Sequence, residues 1–223
     1  MHRRHGKIGA ELNMFTEGNG YAEVCGSDKS TLDYYNSKAK EFVSGTVDVV
    51  FTEIQDIFLD YIPKGGKILD FGCGSGRDTK YFLSKGYDVD ATDGSDELCK
   101  IASEYTGIQV KQMLFEELDK VEVYDGIWAC ASILHVEKRK LPDIMKKIAI
   151  ATKTGGVVYV SFKYGEFEGV KNGRFFTYLT EESFGKLLEK VPELVIEKLW
   201  VSADVRIGRG DEQWLNIALR KSV

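Results

Sequence analysis

The sequence predicts a doubly wound α/β domain, and three observations carry that reading. Apolar runs short enough to be buried strands alternate with amphipathic helical stretches between residues 67 and 162. A glycine-rich turn stands where the first of those strands meets its helix. Two further strand-like runs follow near the C-terminus with no helix between them, which marks an antiparallel pair at one edge of a sheet.

Residues 1–29, rich in Gly, Asn and Glu, keep no clear period and are expected to be an N-terminal arm, or sequence foreign to the protein, ahead of a domain covering 30–223. His2 and His5 have no neighbours that complete a ligand set, so no metal is expected. From Ser30, Leu32, Tyr35, Ala39 and Phe42 recur every three or four residues, and Val47, Val50, Phe51, Ile54, Ile57, Phe58 and Tyr61 make a second apolar face. Two helices therefore precede the first strand, and Pro63, Gly65 and Gly66 end them. Next come a strand over Lys67 to Phe71, a helix over Arg77 to Lys85, a strand over Asp88 to Thr92 and a helix over Asp96 to Tyr105. Strands over Gln109 to Leu114 and Gly126 to Ser132, a helix over Asp143 to Ala151 and a strand over Val157 to Phe162 follow. Lys163 to Tyr178, mixing glycines with aromatics, has the composition of a mobile lid or of a plain solvated loop. A helix over Glu181 to Val191 and the runs Leu194 to Val201 and Gln213 to Leu219 complete the chain.

Hydrophobic residues at 43% and charged residues at 29% sit near the globular average and argue against a disordered or fibrous chain. A net charge of −5 supplies no general attraction for phosphate backbones or anionic membranes, so neither nucleic acid nor membrane is an expected partner. Four scattered cysteines without a CxxC spacing read as reduced thiols. No apolar run approaches the roughly 20 residues of a spanning helix, and MHRRHGK lacks the apolar stretch of a signal peptide. A cytoplasmic protein, monomeric or weakly dimeric, is the expectation.

The chemistry concentrates in Ile68-Leu69-Asp70-Phe71-Gly72-Cys73-Gly74-Ser75-Gly76-Arg77. Glycines let backbone approach a ligand and adopt positive φ at little cost, and in an open α/β sheet this turn opens into the ligand crevice. The dinucleotide fingerprint requires a third glycine where this chain has Arg77. Asp93, at the end of the second strand and 17 residues past Gly76, is placed to accept hydrogen bonds from two ribose hydroxyls, since a carboxylate only accepts.

The residues from Asp70 to Gly76, Asp93 and the stretch Tyr124 to His135 resemble class I S-adenosylmethionine-dependent methyltransferases, over roughly residues 31 to 221. The run CGSGRDTKYFLSKGYDVDATDGS is most similar to the tellurite-resistance type and its small-molecule relatives. The resemblance implies a Rossmann-like seven-stranded sheet, mostly parallel with an antiparallel last strand and helices on both faces. S-adenosylmethionine is the implied cofactor and a small molecule the implied methyl acceptor. The resemblance further implies that Gly72, Gly74 and Gly76 line the methionine part, with Asp70 orienting it, and that Asp93 holds the ribose. It sets Leu114 and Phe115 around the adenine, and Ala129 and Cys130 at the methionine end. Tyr35 resembles part of a helix that closes over the cofactor, although core packing explains it too. Many members carry an adenine-binding aspartate where this chain has Leu114, which leaves backbone groups or Glu116 to serve.

Methyl transfer from a sulfonium is an in-line displacement, so alignment and exclusion of water matter most. His135, at the end of the fourth strand, is either a base for the acceptor's proton or a packing histidine. Arg206, in the last connection, is either a clamp for a carboxylate or oxyanion or an ordinary surface charge. Two other readings stay open: a noncatalytic S-adenosylmethionine-binding protein on the same fold, and an NAD-dependent oxidoreductase, against which Arg77 argues.

Overall fold

The computed structural model of the protein describes residues 26–206 and 208–222, so His2, His5, Cys25 and nearly all of the expected arm lie outside the described residues. Two helices come first: α1 (Gly26–Ser44), kinked at Lys38, and α2 (Thr52–Leu59). The alternating region follows as β1 (Lys67–Phe71), α3 (Arg77–Ser84), β2 (Asp88–Asp93), α4 (Asp96–Thr106), β3 (Lys111–Gln112), β4 (Tyr124–Ala129), α5 (Leu141–Ala151) and β5 (Thr152–Lys163). The last part is β6 (Glu168–Lys171), β7 (Arg174–Thr177), α6 (Glu181–Leu188), β8 (Leu194–Ala203) and β9 (Gln213–Lys221).

The seven-stranded sheet has the order β3-β2-β1-β4-β5-β9-β8. Strands β1 to β5 pair parallel, and β9 enters antiparallel between β5 and β8, which agrees with the antiparallel final pair expected from the sequence. The alternation of side chains along each strand divides the core into two layers. On β4 and β5, Ile127, Ala129, Val158, Val160 and Phe162 face α5 and α6. Trp128, Val157 and Tyr159, one residue out of phase, face α2 and α3. Trp128 stacks on Tyr159 with ring centroids 4.1 Å apart and meets Phe82 and Phe58 at 5.4 and 5.1 Å. Gly126 lets α2 settle there, because a Cβ would stand 2.6 Å from Ile62 and 2.7 Å from Phe58.

α4 is fixed at both ends by its own sequence: Ser95 accepts the Leu98 N–H at its start and Gly107 takes the left-handed conformation at its end. Gly76, with φ of +78°, brings the start of α3 against α4. A Cβ there would lie 2.8 Å from Thr106 and 3.2 Å from Ala102. Gly76→Ala is therefore expected to destabilise the protein by about 2 kcal/mol through strain and overpacking, read as a lowered urea midpoint with an unchanged slope.

Two expectations need correction. The strand expected over Gln109 to Leu114 contracts to Lys111–Gln112, an exposed edge pairing only with the end of β2. Lys163 to Tyr178 is not a plain loop but carries the hairpin β6–β7, turned by Asn172 (φ +52°) and Gly173 (φ +78°). Positive φ at both central residues matches the twist of a two-residue hairpin, and Asn-Gly is the pair that adopts it at least cost. The hairpin is docked: the Phe175 N–H donates to Thr31 of α1, and the Thr177 hydroxyl donates to the Val136 carbonyl.

Candidate functional site

The chain runs outward from β1 to β3 and returns to β4, so the connections at the carboxyl ends of β1 and β4 part there and leave a crevice. A cavity of about 570 Å³ opens at this point. The turn after β1, the ends of β2 and β4, the segment after β3, helix α1, the β6–β7 hairpin and the β8–β9 connection all contribute to its walls.

Of the residues singled out in the sequence, Tyr35, Gly72, Gly74, Asp93, Leu114, Phe115, Cys130, His135 and Arg206 line this cavity. Asp70, Gly76 and Ala129 stand behind the wall. Asp70 is buried and accepts the Thr79 hydroxyl at 2.5 Å, so it ties β1 to α3. Burial, with Asp78 adding its charge, pushes its carboxyl well above the usual range. Gly72 reaches the cavity because it has no side chain: a Cβ would stand 2.4 Å from that of Ser132. Gly74 lies under Phe42 of α1, with 3.0 Å between that ring and the position of a Cβ.

Asp93 closes β2 with its carboxylate aimed back at the glycine turn. One oxygen accepts the Gly74 N–H and the other the Ser95 N–H, each at 2.9 Å. The Gly94 N–H also faces this carboxylate, so backbone donors alone hold it in place. Burial raises this carboxyl's pKa, against the pull of those backbone donors. After β4, Cys130 is followed by Ala131, a non-glycine residue at φ +51° that donates its N–H to Ser161 at 2.8 Å. Such a conformation costs on the order of 1 kcal/mol, offset here by the bond to Ser161. Burial pushes the Cys130 thiol up to about 12, so it stays protonated and inert as a nucleophile.

His135 and Tyr35 meet across the cavity wall. The His135 Nδ1 lies 2.6 Å from the Phe175 carbonyl, which can only accept, so Nδ1 carries the proton. Nε2 must then accept, and the Tyr35 hydroxyl 2.8 Å away donates to it. The ring is left with no free lone pair for an acceptor's proton. Burial, helped by the Arg174 charge, pulls His135 down to about 4. An unfolded histidine protonates near 6.5, so acid favours the unfolded chain across the window from about 6.5 to 4. Wild type is expected to lose about 2 kcal/mol of stability to this residue between pH 7 and pH 5, and urea unfolding of wild type and H135Q at both pH values checks the difference.

Arg206 has its guanidinium on Asp204, from Nε at 2.9 Å and in a second, closer contact from a terminal nitrogen. Asp204 also accepts the Trp214 indole N–H at 3.0 Å, so its carboxyl falls to about 2 despite partial burial, because Arg206 and Trp214 stabilise the ionised form. Most of the Arg206 fork is therefore committed within the protein. Sequence reasoning missed Arg174 and Lys171, which border the hairpin turn and line the cavity, as well as Lys163 at the end of β5. The Asn172-Gly173 pair between strand-forming residues was the signal that could have found the first two.

A methyltransferase-domain family model matches residues 68–156. An uncharacterized methyltransferase of Staphylococcus carnosus is 24% identical over 166 residues, 71% of this chain and 79% of that protein. TehB of Haemophilus influenzae, described as a probable S-adenosyl-L-methionine-dependent methyltransferase, is 28% identical over 95 residues, 40% of this chain and only 33% of that protein. Among solved structures, the 1,6-didemethyltoxoflavin-N1-methyltransferase of Burkholderia thailandensis, with bound 1,6-didemethyltoxoflavin and S-adenosylhomocysteine, superposes with a TM-score of 0.73. It is 19% identical, and the match covers 91% of this chain and 93% of that one. Residues 68–156, which hold the glycine turn and Asp93, thus match a methyltransferase domain, and the chain is similar to TehB and shares the fold of S-adenosylmethionine-dependent methyltransferases.

Proposed function

We propose that the cavity transfers a methyl group to a small-molecule acceptor by in-line displacement, with S-adenosylmethionine on the β1–β2 side and the acceptor on the hairpin side. The observation that carries this reading is Asp93: a half-buried, acceptor-only carboxylate in the cavity wall, held by backbone N–H groups of the glycine turn and the start of α4 and suited to a pair of ribose hydroxyls. Gly72 and Gly74 would present backbone to the methionine part, Leu114 and Phe115 would flank the adenine, and Cys130 would border the sulfonium. Asp70, Gly76 and Ala129 support these from behind by fixing the turn, the α3–α4 approach and the end of β4. When bound, the cofactor supplies a methyl carbon electrophilic enough to need no activated enzyme nucleophile.

The chain's task is then to hold the acceptor's lone pair in line and keep water out. Helix α1 roofs the crevice through Leu32, Tyr35 and Phe42. His135 works through Tyr35 by fixing its hydroxyl. Parallel calorimetric titration with S-adenosylmethionine, S-adenosylhomocysteine and NAD tests the reading. Binding of the two adenosyl compounds without NAD is expected; NAD binding alone overturns it.

A further inference from the structure

We propose that the acceptor is an organic anion, a carboxylate on an apolar body, whose charged end is received by Arg174. This rests on the cofactor and acceptor sides assigned above. Arg174 opens β7 and faces the cavity, with its guanidinium 4.6 Å from the ring centre of Tyr34, 5.1 Å from Phe176 and 5.8 Å from Tyr35. Among the described residues its buried Nε has no hydrogen-bond partner, and a terminal nitrogen lies at a long 3.4 Å from the Tyr35 oxygen. A buried guanidinium donor left open costs free energy in the empty protein, and aromatic faces offset only part of that cost.

The surrounding charges point the same way. Lys163, Lys171, Arg174, Arg206 and Arg209 line this side of the cavity against two carboxylates, Asp204 and Glu212. Those two are already taken, Asp204 by Arg206 and Glu212 by Lys163. Among the described residues, Lys171, Arg174 and Arg209 have no carboxylate within ion-pair distance, so the acceptor side keeps an excess of positive charge in a chain whose net charge is −5.

Hydrogen-bond direction narrows the ligand further. Tyr35 spends its proton on His135, because the Phe175 carbonyl fixes the tautomer of that ring. The open polar positions around Arg174 are thus N–H donors, which a carboxylate satisfies two at a time in the planar fork of a guanidinium. Phe176 lies beside this charge, and Phe42, Val49, Phe51 and Tyr178 add apolar wall to the same cavity, a surface that a bare inorganic oxyanion would leave unused.

The test uses the protein saturated with S-adenosylhomocysteine and titrated with benzoate, benzamide and sulfate, for wild type, R174Q and K190Q, the last an exposed cation outside the cavity. Benzoate is expected to bind at least about tenfold more tightly than benzamide or sulfate, a preference lost in R174Q and kept in K190Q. Equal binding of benzoate and benzamide, or a preference that survives R174Q, overturns the proposal. Sulfate binding as tightly as benzoate overturns its organic part. Loss of S-adenosylhomocysteine affinity in R174Q also overturns it, since Arg174 would then hold the cofactor. Failure of wild type to bind S-adenosylhomocysteine at all removes the underlying site reading instead.

Discussion

Asp93→Ala is expected to weaken S-adenosylhomocysteine binding at least about 100-fold while the protein stays folded. The substitution removes both charge-assisted acceptors that the proposed site would offer a ribose, each worth about 1.5–3 kcal/mol when the partner is otherwise lost. It also releases the Gly74 and Ser95 N–H groups, so the glycine turn loses the anchor that shapes it before any ligand arrives. Some loss of stability accompanies this, because Gly74 borders the cavity but Ser95 is fully buried, so water replaces only part of the lost bonds. Asp93→Asn separates the two effects: it keeps one oxygen acceptor and its size, and is expected to bind at an intermediate level. Calorimetry alongside urea unfolding checks both variants, and a folded Asp93→Ala protein with wild-type affinity would remove Asp93 from the site.

Asp78→Ala should produce the largest loss of stability, about 3–5 kcal/mol. Asp78 is the hub of a buried polar cluster that joins three elements. It accepts from Gln55 of α2 at 2.7 Å, from Arg77 at 2.7 and 3.0 Å, and from the Trp128 indole of β4 at 2.8 Å. Removing it strands a buried guanidinium stacked 4.7 Å over Phe51 and leaves the Gln55 amide and the indole N–H without an acceptor. Because the penalty comes chiefly from the orphaned charge, Asp78→Ala with Arg77→Met is expected to be more stable than Asp78→Ala alone. Chemical denaturation of the single and double variants decides the point.

The parts of the fold that sequence made legible are those in which one local signal has one physical meaning. Ile68 to Arg77 reads as strand, turn and helix because buried apolar residues, three glycines and a polar helix start occur in that order. Ser95 and Gly107 bracket α4 by side-chain and backbone chemistry that acts within four residues. The hairpin was less legible, since Glu168 to Lys171 and Arg174 to Thr177 are four residues each and only β7 is buried. Its composition resembled a loop, and Asn172-Gly173 carried the whole signal. Within the site, residue type was readable but side-chain direction was not. Asp70 and Asp93 both end strands, yet one turns behind the sheet to Thr79 and the other into the cavity. Arg206 and Arg174 likewise differ only in what surrounds them, an internal carboxylate for one and aromatic rings for the other.

The position of β9 bears on how the molecule is made. Residues 213–221 are made after every other strand of the sheet, yet they fill the gap between β5 and β8. Until they emerge, β5 exposes a full row of unpaired amides and carbonyls along its apolar run, and β8 has no neighbour to pair with. The nascent chain thus passes through a stage in which a sticky edge is open to other chains, and the sheet can be sealed only after synthesis has reached Lys221.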